Sequence, residues 1–439
     1  MKNKIISILL IVLVFIPKFN IFNVPGFTTG IRLDDILILI IFLMCLYDFY
    51  KKKIKLENNE LKKLSIVFLT YLLMCLISTI LGFSRGYIDL LQGILFVIRK
   101  FEYFVCLYFG YLYFKENNTF INKSKISNFM DIIVIFNFIV CLLQHLGLFG
   151  SFAAGSYSEY LSQGRISSIF NGSYEFCAFL VLIFIYYFHR IFFKNTKFNN
   201  RMKLDILFCL LIISMILVSA SRISLISLFS ISLIILFKRY NSIIKTYWKG
   251  TVLICLGVFS GFVIILNLGW LENTRFSTIS LGGFIESIEC AWQNKSFDNY
   301  LQTGSWYGDF DCLFVGTDIS FNLRFNHWAQ LLDGFMRHPL FGLGPSITTT
   351  AADGNYIRIL TESGIVGLVS WIVLILTVVK TTKNDTDLST IAKYSLYSIL
   401  IGCIFIDLFE ASKIMMLFWF VLGILIANKE VKNEKCNNS

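Results

Sequence analysis

The stretch Leu64-Ser-Ile-Val-Phe-Leu-Thr-Tyr-Leu-Leu-Met-Cys-Leu-Ile-Ser-Thr-Ile-Leu-Gly-Phe83 holds no charged side chain and lies between Lys62-Lys63 and Arg85. Coiled at about 1.5 Å per residue, it reaches across a hydrocarbon layer about 30 Å thick. It therefore reads as a transmembrane α-helix. Working outward, comparable apolar stretches lie at 5–22, 33–49, 90–114, 129–148, 174–193, 204–219, 223–237, 250–268, 356–379, 392–408 and 412–428. The first, the seventh and eighth, and the last are short, so about ten to twelve spans are expected. Composition agrees: 56% of residues are hydrophobic, 15% are charged, and Phe (45) far outnumbers Pro (4). A water-soluble chain of this length needs more charge to cover its surface. The expected fold is an all-α polytopic membrane protein.

The net charge of +11 invites a nucleic-acid reading, but the placement of the basic residues argues against it. With the N-terminus taken as cytoplasmic, the inner segments hold 25 Lys and Arg residues, including Lys51, Lys52, Lys53, Lys115, Arg190, Arg201, Lys238, Lys380 and Lys429. The short outer loops hold six: Lys18, Arg32, Arg85, Arg165, Arg222 and Lys413. That bias follows the positive-inside rule and puts both termini in the cytoplasm. The opening Met1-Lys2-Asn3-Lys4 and the apolar run after it look like a secretory signal without a cleavage site, hence an uncleaved first helix. The expected organisation is 1–268 with about nine spans, a large extracytoplasmic loop over 269–355, and 356–439 with about three spans and a short tail. The loop contains nine acidic residues and Trp270, Trp292, Trp306 and Trp328. Cys290 and Cys312 both fall in it and can pair, though two cysteines set no framework. The four His show no metal-ligand spacing, and neither a P-loop nor a dinucleotide fingerprint is present.

Charges in or beside apolar spans are expensive and are functional candidates. Arg165, before Asn171-Gly172, is either an anion contact near a helix start or an interfacial Arg reaching to water. Arg222 opens an otherwise apolar helix after Ser219-Ala-Ser221, where its charge opposes the macrodipole unless an anion binds; the alternative is a water-exposed turn. Arg324-Phe-Asn-His327-Trp328 begins a helical pattern that Pro339 ends, with Arg324 and Trp328 on one face. That helix either carries site residues or lies on the membrane surface. Asp353-Gly-Asn355-Tyr356 leads back into the membrane, with Asp353 a carboxylate able to act as a base, Arg358 and Glu362 spaced to pair, and Gly364 and Gly367 open to close helix packing. Arg99-Lys100-Phe-Glu102 lines a polar cavity, forms a buried ion pair or breaks its helix.

In that order these motifs, with His338-Pro339-Leu-Phe-Gly342-Leu-Gly344 between them and Arg32-Leu-Asp34-Asp35 near the N-terminus, resemble the O-antigen polymerase and O-antigen ligase superfamily over most of the chain. The resemblance implies a glycosyltransferase of the bacterial cytoplasmic membrane acting on a glycan carried by undecaprenyl diphosphate, without metal or nucleotide. The acceptor hydroxyl attacks the anomeric carbon and the lipid diphosphate leaves. On this resemblance Arg165, Arg222 and Arg324 hold the diphosphate, Asp353 and Arg324 are catalytic, and Trp328, Asn355 and Tyr356 contact sugar. Expected partners are the undecaprenyl-diphosphate-linked oligosaccharide, the bilayer and a chain-length regulator. The superfamily's ligases carry a His followed by Asn, Ser or Gln, nine residues, then Gly-x-x-Gly. Counting back from Gly364 and Gly367, that His falls on Asp353. The departure favours a Wzy-type polymerase of O-antigen or capsule units. The alternatives are a ligase, a protein O-oligosaccharyltransferase, or, in another class, a lipid-linked oligosaccharide flippase.

Overall fold

The computed structural model describes residues 8, 11–17, 20–22, 31–52, 58–117, 123–150, 166–194, 199–240, 281–303, 311–315, 319–348, 352–383 and 386–437. The expected span 250–268 and Arg165 lie outside the described residues. The elements are β1 (Asn20–Phe22), β2 (Ile31–Arg32), α1 (Leu33–Lys52), α2 (Asn59–Ser84), α3 (Leu90–Asn117), α4 (Lys123–His145), α5 (Ser173–His189, continued by a π-turn to Lys194), α6 (Asn200–Val218) and α7 (Arg222–Arg239). They continue as α8 (Leu281–Gln293), α9 (Phe297–Thr303), α10 (Ile319–Arg337), α11 (Asn355–Thr381), α12 (Asp387–Gly402) and α13 (Ser412–Asn437).

The described residues are thus those of an all-α membrane protein, apart from a two-stranded antiparallel ribbon of β1 and β2. The stretch 5–22 is not one helix: residues 11–15 are helical, and β1 follows Pro17. Proline lacks the amide a helix needs and clashes with the preceding turn. Among the described residues, five helices are long and apolar enough to cross a membrane: Asn59–Ser84, Ile126–His145, Ser173–Lys194, Asn355–Thr381 and Ser412–Val431. Others expected to span are shorter or carry more charge, as α3 does with Arg99, Lys100 and Glu102.

α3 and α13 pack in backbone contact. A Cβ built on Gly110 would stand 2.2 Å from the Phe420 carbonyl oxygen, and one on Gly423 would stand 2.1 Å from that of Leu107. Small residues let two membrane helices approach to backbone contact, where dispersion replaces the missing hydrophobic drive. Around this seam lie Trp419, Phe68, Tyr111 and Leu425, all buried.

Charged contacts sort the helix ends into two groups. At one end Lys429 reaches Glu60 (3.0 Å) and the Thr381 carbonyl (2.6 Å), and Asn58 and Tyr111 donate to Glu430 (2.7 and 2.6 Å). Arg201 there grips Asp131 through both terminal nitrogens (2.6 and 2.7 Å). At the other end, here called the mouth, Arg85 donates to the Gly342 carbonyl (3.2 Å) and Arg358 to Asp407 (2.9 Å).

Between α7 and α11 the described chain builds small cores of its own. Phe297, Tyr300, Leu331, Leu343 and Ile347 form one, and Ala291, Phe325 and Ala329 another. A Cys290–Cys312 disulfide ties α8 to the turn Asp311–Phe314. α10 ends at Arg337, two residues before Pro339, as its sequence predicts.

The segment after it, 338–344, lies along a break in α11 and against α2, where a Cβ on Gly82 would stand 2.2 Å from the Leu343 carbonyl oxygen. Gly364 adopts φ +67° and ψ −167° inside α11, which frees backbone groups around it. Leu343 and Gly344 donate to the Thr361 and Glu362 carbonyls (2.9 Å each), and Ile365 and Val366 donate to Pro339 and Leu340 (2.9 and 3.2 Å). An interrupted helix in a membrane survives only when such neighbours satisfy its backbone. Gly364 thus meets the Leu340 backbone, while a Cβ on Gly367 would meet only Ser363 of its own helix.

Candidate functional site at the mouth

The site grows from α10 and the turn 352–354 that opens α11. Asp353 sits in the left-handed region at φ +51°, which Asp tolerates better than most residues. Its Oδ2 lies 3.0 Å from Nη2 of Arg324. One helical turn on, Trp328 donates from Nε1 to the Ala352 carbonyl at 2.9 Å. Its ring packs so closely on Gly354 that a Cβ there would stand 2.9 Å away. The shared face read for Arg324 and Trp328 is therefore the face that holds the Asp353 turn.

Two further elements reach the same face. The Arg324 guanidinium lies 5.4 Å from the ring centre of Tyr174, in the first turn of α5. Phe321, one turn before Arg324, carries the Arg222 guanidinium at 5.3 Å from its ring centre. Phe405, from the α12–α13 connection, meets Phe321 edge-on (5.9 Å) and stacks on Trp328 (5.7 Å). An aromatic ledge of Phe321, Phe405 and Trp328 thus carries Arg222, and Arg324 lies on α10 between two of its rings, Phe321 and Trp328. None of Gly172, Ser221 and Gly354, the N-cap residues of α5, α7 and α11, makes a side-chain cap hydrogen bond. The N-termini of α5, α7 and α11, each the positive end of a macrodipole, lie beside this region.

Behind the ledge runs a buried chain of ion pairs. Arg358 gives Nε to Glu362 (3.0 Å) and Nη1 to Asp407 (2.9 Å). Thr348 also donates to Glu362 (2.7 Å). Asp407 accepts from the amides of Ala352 (2.6 Å) and Gly354 (3.0 Å), one on each side of Asp353. The pairing of Arg358 with Glu362 follows their spacing. Lys100 is held by Glu410 of the α12–α13 connection at 2.7 Å, a partner distant in sequence rather than one from its own Arg99–Glu102 cluster.

Burial drives the Asp353 carboxyl above the ordinary carboxylate range; Arg324 opposes this and the Asp407 charge adds to it. His327, buried beside the Tyr300 ring at 5.5 Å, is pushed down to about 3 by burial and by Arg358, so it stays neutral at physiological pH.

Asn355 and Tyr356 turn away from the turn they follow. The Asn355 side-chain oxygen accepts from the Phe409 amide at 2.8 Å, and its backbone amide donates to Cys403. Tyr356 donates to the Leu400 carbonyl at 2.8 Å and meets Trp371 edge-on. Asn355 thus binds α11 to the α12–α13 connection, and Tyr356 binds it to α12. Asp407, Phe321, Tyr174 and Phe405 were not singled out in the sequence. Asp407 had a usable signal, since it is a carboxylate inside the apolar stretch 392–408; the three rings had none.

Residues 207–372 match the model of a family described as O-antigen ligase. The matched region includes Arg222, Arg324, Trp328, Asp353, Asn355 and Tyr356 and ends before Asp407. The match supports the O-antigen ligase and polymerase superfamily. No curated protein matches the chain.

Proposed function

We propose, with that superfamily as premise, that this chain is a membrane glycosyltransferase that moves a glycan from a lipid diphosphate to an acceptor hydroxyl, and that it polymerises repeat units. The observation that carries the reading is the Arg324–Asp353 pair, one helical turn along α10 from the Phe321 ring on which Arg222 lies. The acceptor hydroxyl gives its proton to Asp353 and its oxygen bonds to the anomeric carbon. The bond from that carbon to the diphosphate oxygen breaks, and the electron pair leaves with the lipid diphosphate. Positive charge must meet that leaving group, and guanidinium forks match phosphate oxygens in bidentate geometry. Arg222 and Arg324 supply it, with the positive end of the α7 macrodipole adding to the field.

Asp353 in place of the ligase histidine supports polymerase over ligase. The preponderance of lysine at the end opposite the mouth supports a mouth that faces the extracytoplasmic side. In this reading Trp328, Asn355 and Tyr356 act by shaping the Asp353 turn rather than by touching sugar.

The test uses purified protein in nanodiscs with an undecaprenyl-diphosphate-linked repeat unit. A polymerase yields a glycan ladder and free lipid diphosphate; a ligase yields a single transfer to its own acceptor. Arg222→Ala, Arg324→Ala and Asp353→Asn should each lower turnover by about 10²–10³-fold, the range for removing one transition-state donor. Wild-type ladders from all three would end the proposal.

A further inference from the structure

We infer that Asp407 is the positioning residue of this site, holding Asp353 in its left-handed turn by accepting the amides on either side of it. The inference rests on the reading of Asp353 as the acceptor's base. Asp407 lies 54 residues further along, on the α12–α13 connection. Its two oxygens are divided between two backbone donors. Oδ2 takes Ala352 at 2.6 Å and Oδ1 takes Gly354 at 3.0 Å, so a single carboxylate fixes the backbone on both flanks of residue 353. Two anchors spanning one residue determine the direction in which its side chain leaves the chain. Here that direction is towards Arg324.

The carboxylate is in turn held. Arg358 bridges from Asp407 to Glu362, and Glu362 also accepts from Thr348. Glu362 belongs to the stretch of α11 whose carbonyls are bound by Leu343 and Gly344. The brace therefore runs from the break in α11 to the turn that presents the base. Asparagine cannot replace this carboxylate in full. Its amide nitrogen would face one of the two amide donors, and no single orientation accepts from both with separate oxygens.

Removal of the Asp407 charge has a second effect that a purely structural part would not show. The groups facing Asp353 are Arg324 on α10 and Asp407 on the α12–α13 connection. Asp407 favours the protonated form of Asp353. Asp353 works ionised, so kcat/KM falls as pH drops through its pKa. Neutralising Asp407 lowers that pKa and moves the acid limb to lower pH.

The experiment measures kcat/KM against pH for wild-type protein in nanodiscs, for Asp407→Asn, Asp407→Glu and Glu410→Gln, and for Asp353→Asn as reference. Asp407→Asn is expected to lower kcat by at least about tenfold, with a smaller change in KM, and to carry the acid limb downward. Asp407→Glu keeps the charge but displaces it by one methylene; its kcat falls while the limb stays. Glu410→Gln lies in the same connection and breaks the Lys100 pair without touching the 352–354 amides; its limb stays with the wild type. A folded Asp407→Asn variant with the wild-type limb and kcat overturns the inference. Wild-type activity from Asp353→Asn instead removes the reading of Asp353 as the base, which is a separate failure. Should the Asp407 variants not fold, amide exchange in the wild-type protein decides. Slow exchange at Ala352 and Gly354 is expected, and exchange at unprotected rates overturns the inference.

Discussion

Replacing Gly364 by alanine probes the break in α11 on which the mouth is built. Gly364 holds φ +67° with ψ −167°, a region open to glycine alone. Forcing a Cβ into it costs about 1–3 kcal/mol. Space adds to this, because the new carbon would stand 2.3 Å from the Leu340 carbonyl oxygen and 2.6 Å from the Phe341 amide nitrogen. These are backbone atoms and cannot rotate away, so the 338–344 segment must recede by about 1 Å to regain contact distance. That movement loosens the bonds from Ile365 to Pro339 and from Val366 to Leu340. Each is worth about 1 kcal/mol. The sum is about 3–5 kcal/mol of local stability. At about 1.4 kcal/mol per tenfold, the open population rises at least about a hundredfold. Hydrogen exchange at Leu343 and Gly344, whose amides donate to Thr361 and Glu362, reads this directly. In Gly364→Ala those amides should exchange at least about a hundredfold faster than in the wild type. Gly282→Ala serves as the control, since its Cβ would meet nothing within 4 Å. Wild-type exchange in Gly364→Ala would refute the account of the break.

Loss of the Cys290–Cys312 bridge, which spans 22 residues, should release about 3 kcal/mol of loop-closure stabilisation in the α8–α10 unit. Cys290→Ser/Cys312→Ser protein should accordingly be cleaved faster between α8 and α10 in limited proteolysis, and unchanged cleavage would contradict this. Arg358→Met leaves Glu362 and Asp407 buried without their shared cation and should cost about 3–5 kcal/mol. Thermal unfolding in detergent should show that loss, with part of it restored in Arg358→Met/Glu362→Gln; a single variant as stable as the wild type would show that the brace is not needed.

The membrane character of the chain and the grouping of its helix ends were legible because both depend on short-range patterns. Charge-free runs such as 64–83 mark helices wherever they occur, and Lys115, Lys380 and Lys429 mark one end of the bundle before any contact is known. The helix α10, its stop before Pro339, and the common face of Arg324 and Trp328 follow from a period of 3.6 residues. The same spacing rule predicts the Arg358–Glu362 pair, found at 3.0 Å.

Tertiary structure alone decided which of these faces meet. Asp353 and Arg324 lie 29 residues apart, and Arg222 reaches Phe321 from 99 residues away. The tight approach of Gly110 and Gly423 brings together helices at opposite ends of the chain. Asn355 and Tyr356 flank the site in sequence, yet the first turn of α11 points them into the bundle. Asp407 joins the site only because the α12–α13 connection folds back onto the 352–354 turn. Helical periodicity and hydropathy act within a few residues, so the sequence by itself marked helices such as 64–83 and α10 and the candidate charges, while the stretch 5–22 proved not to be one helix. Which charge faces which partner depends on packing between distant helices, and that information exists only once the bundle has closed.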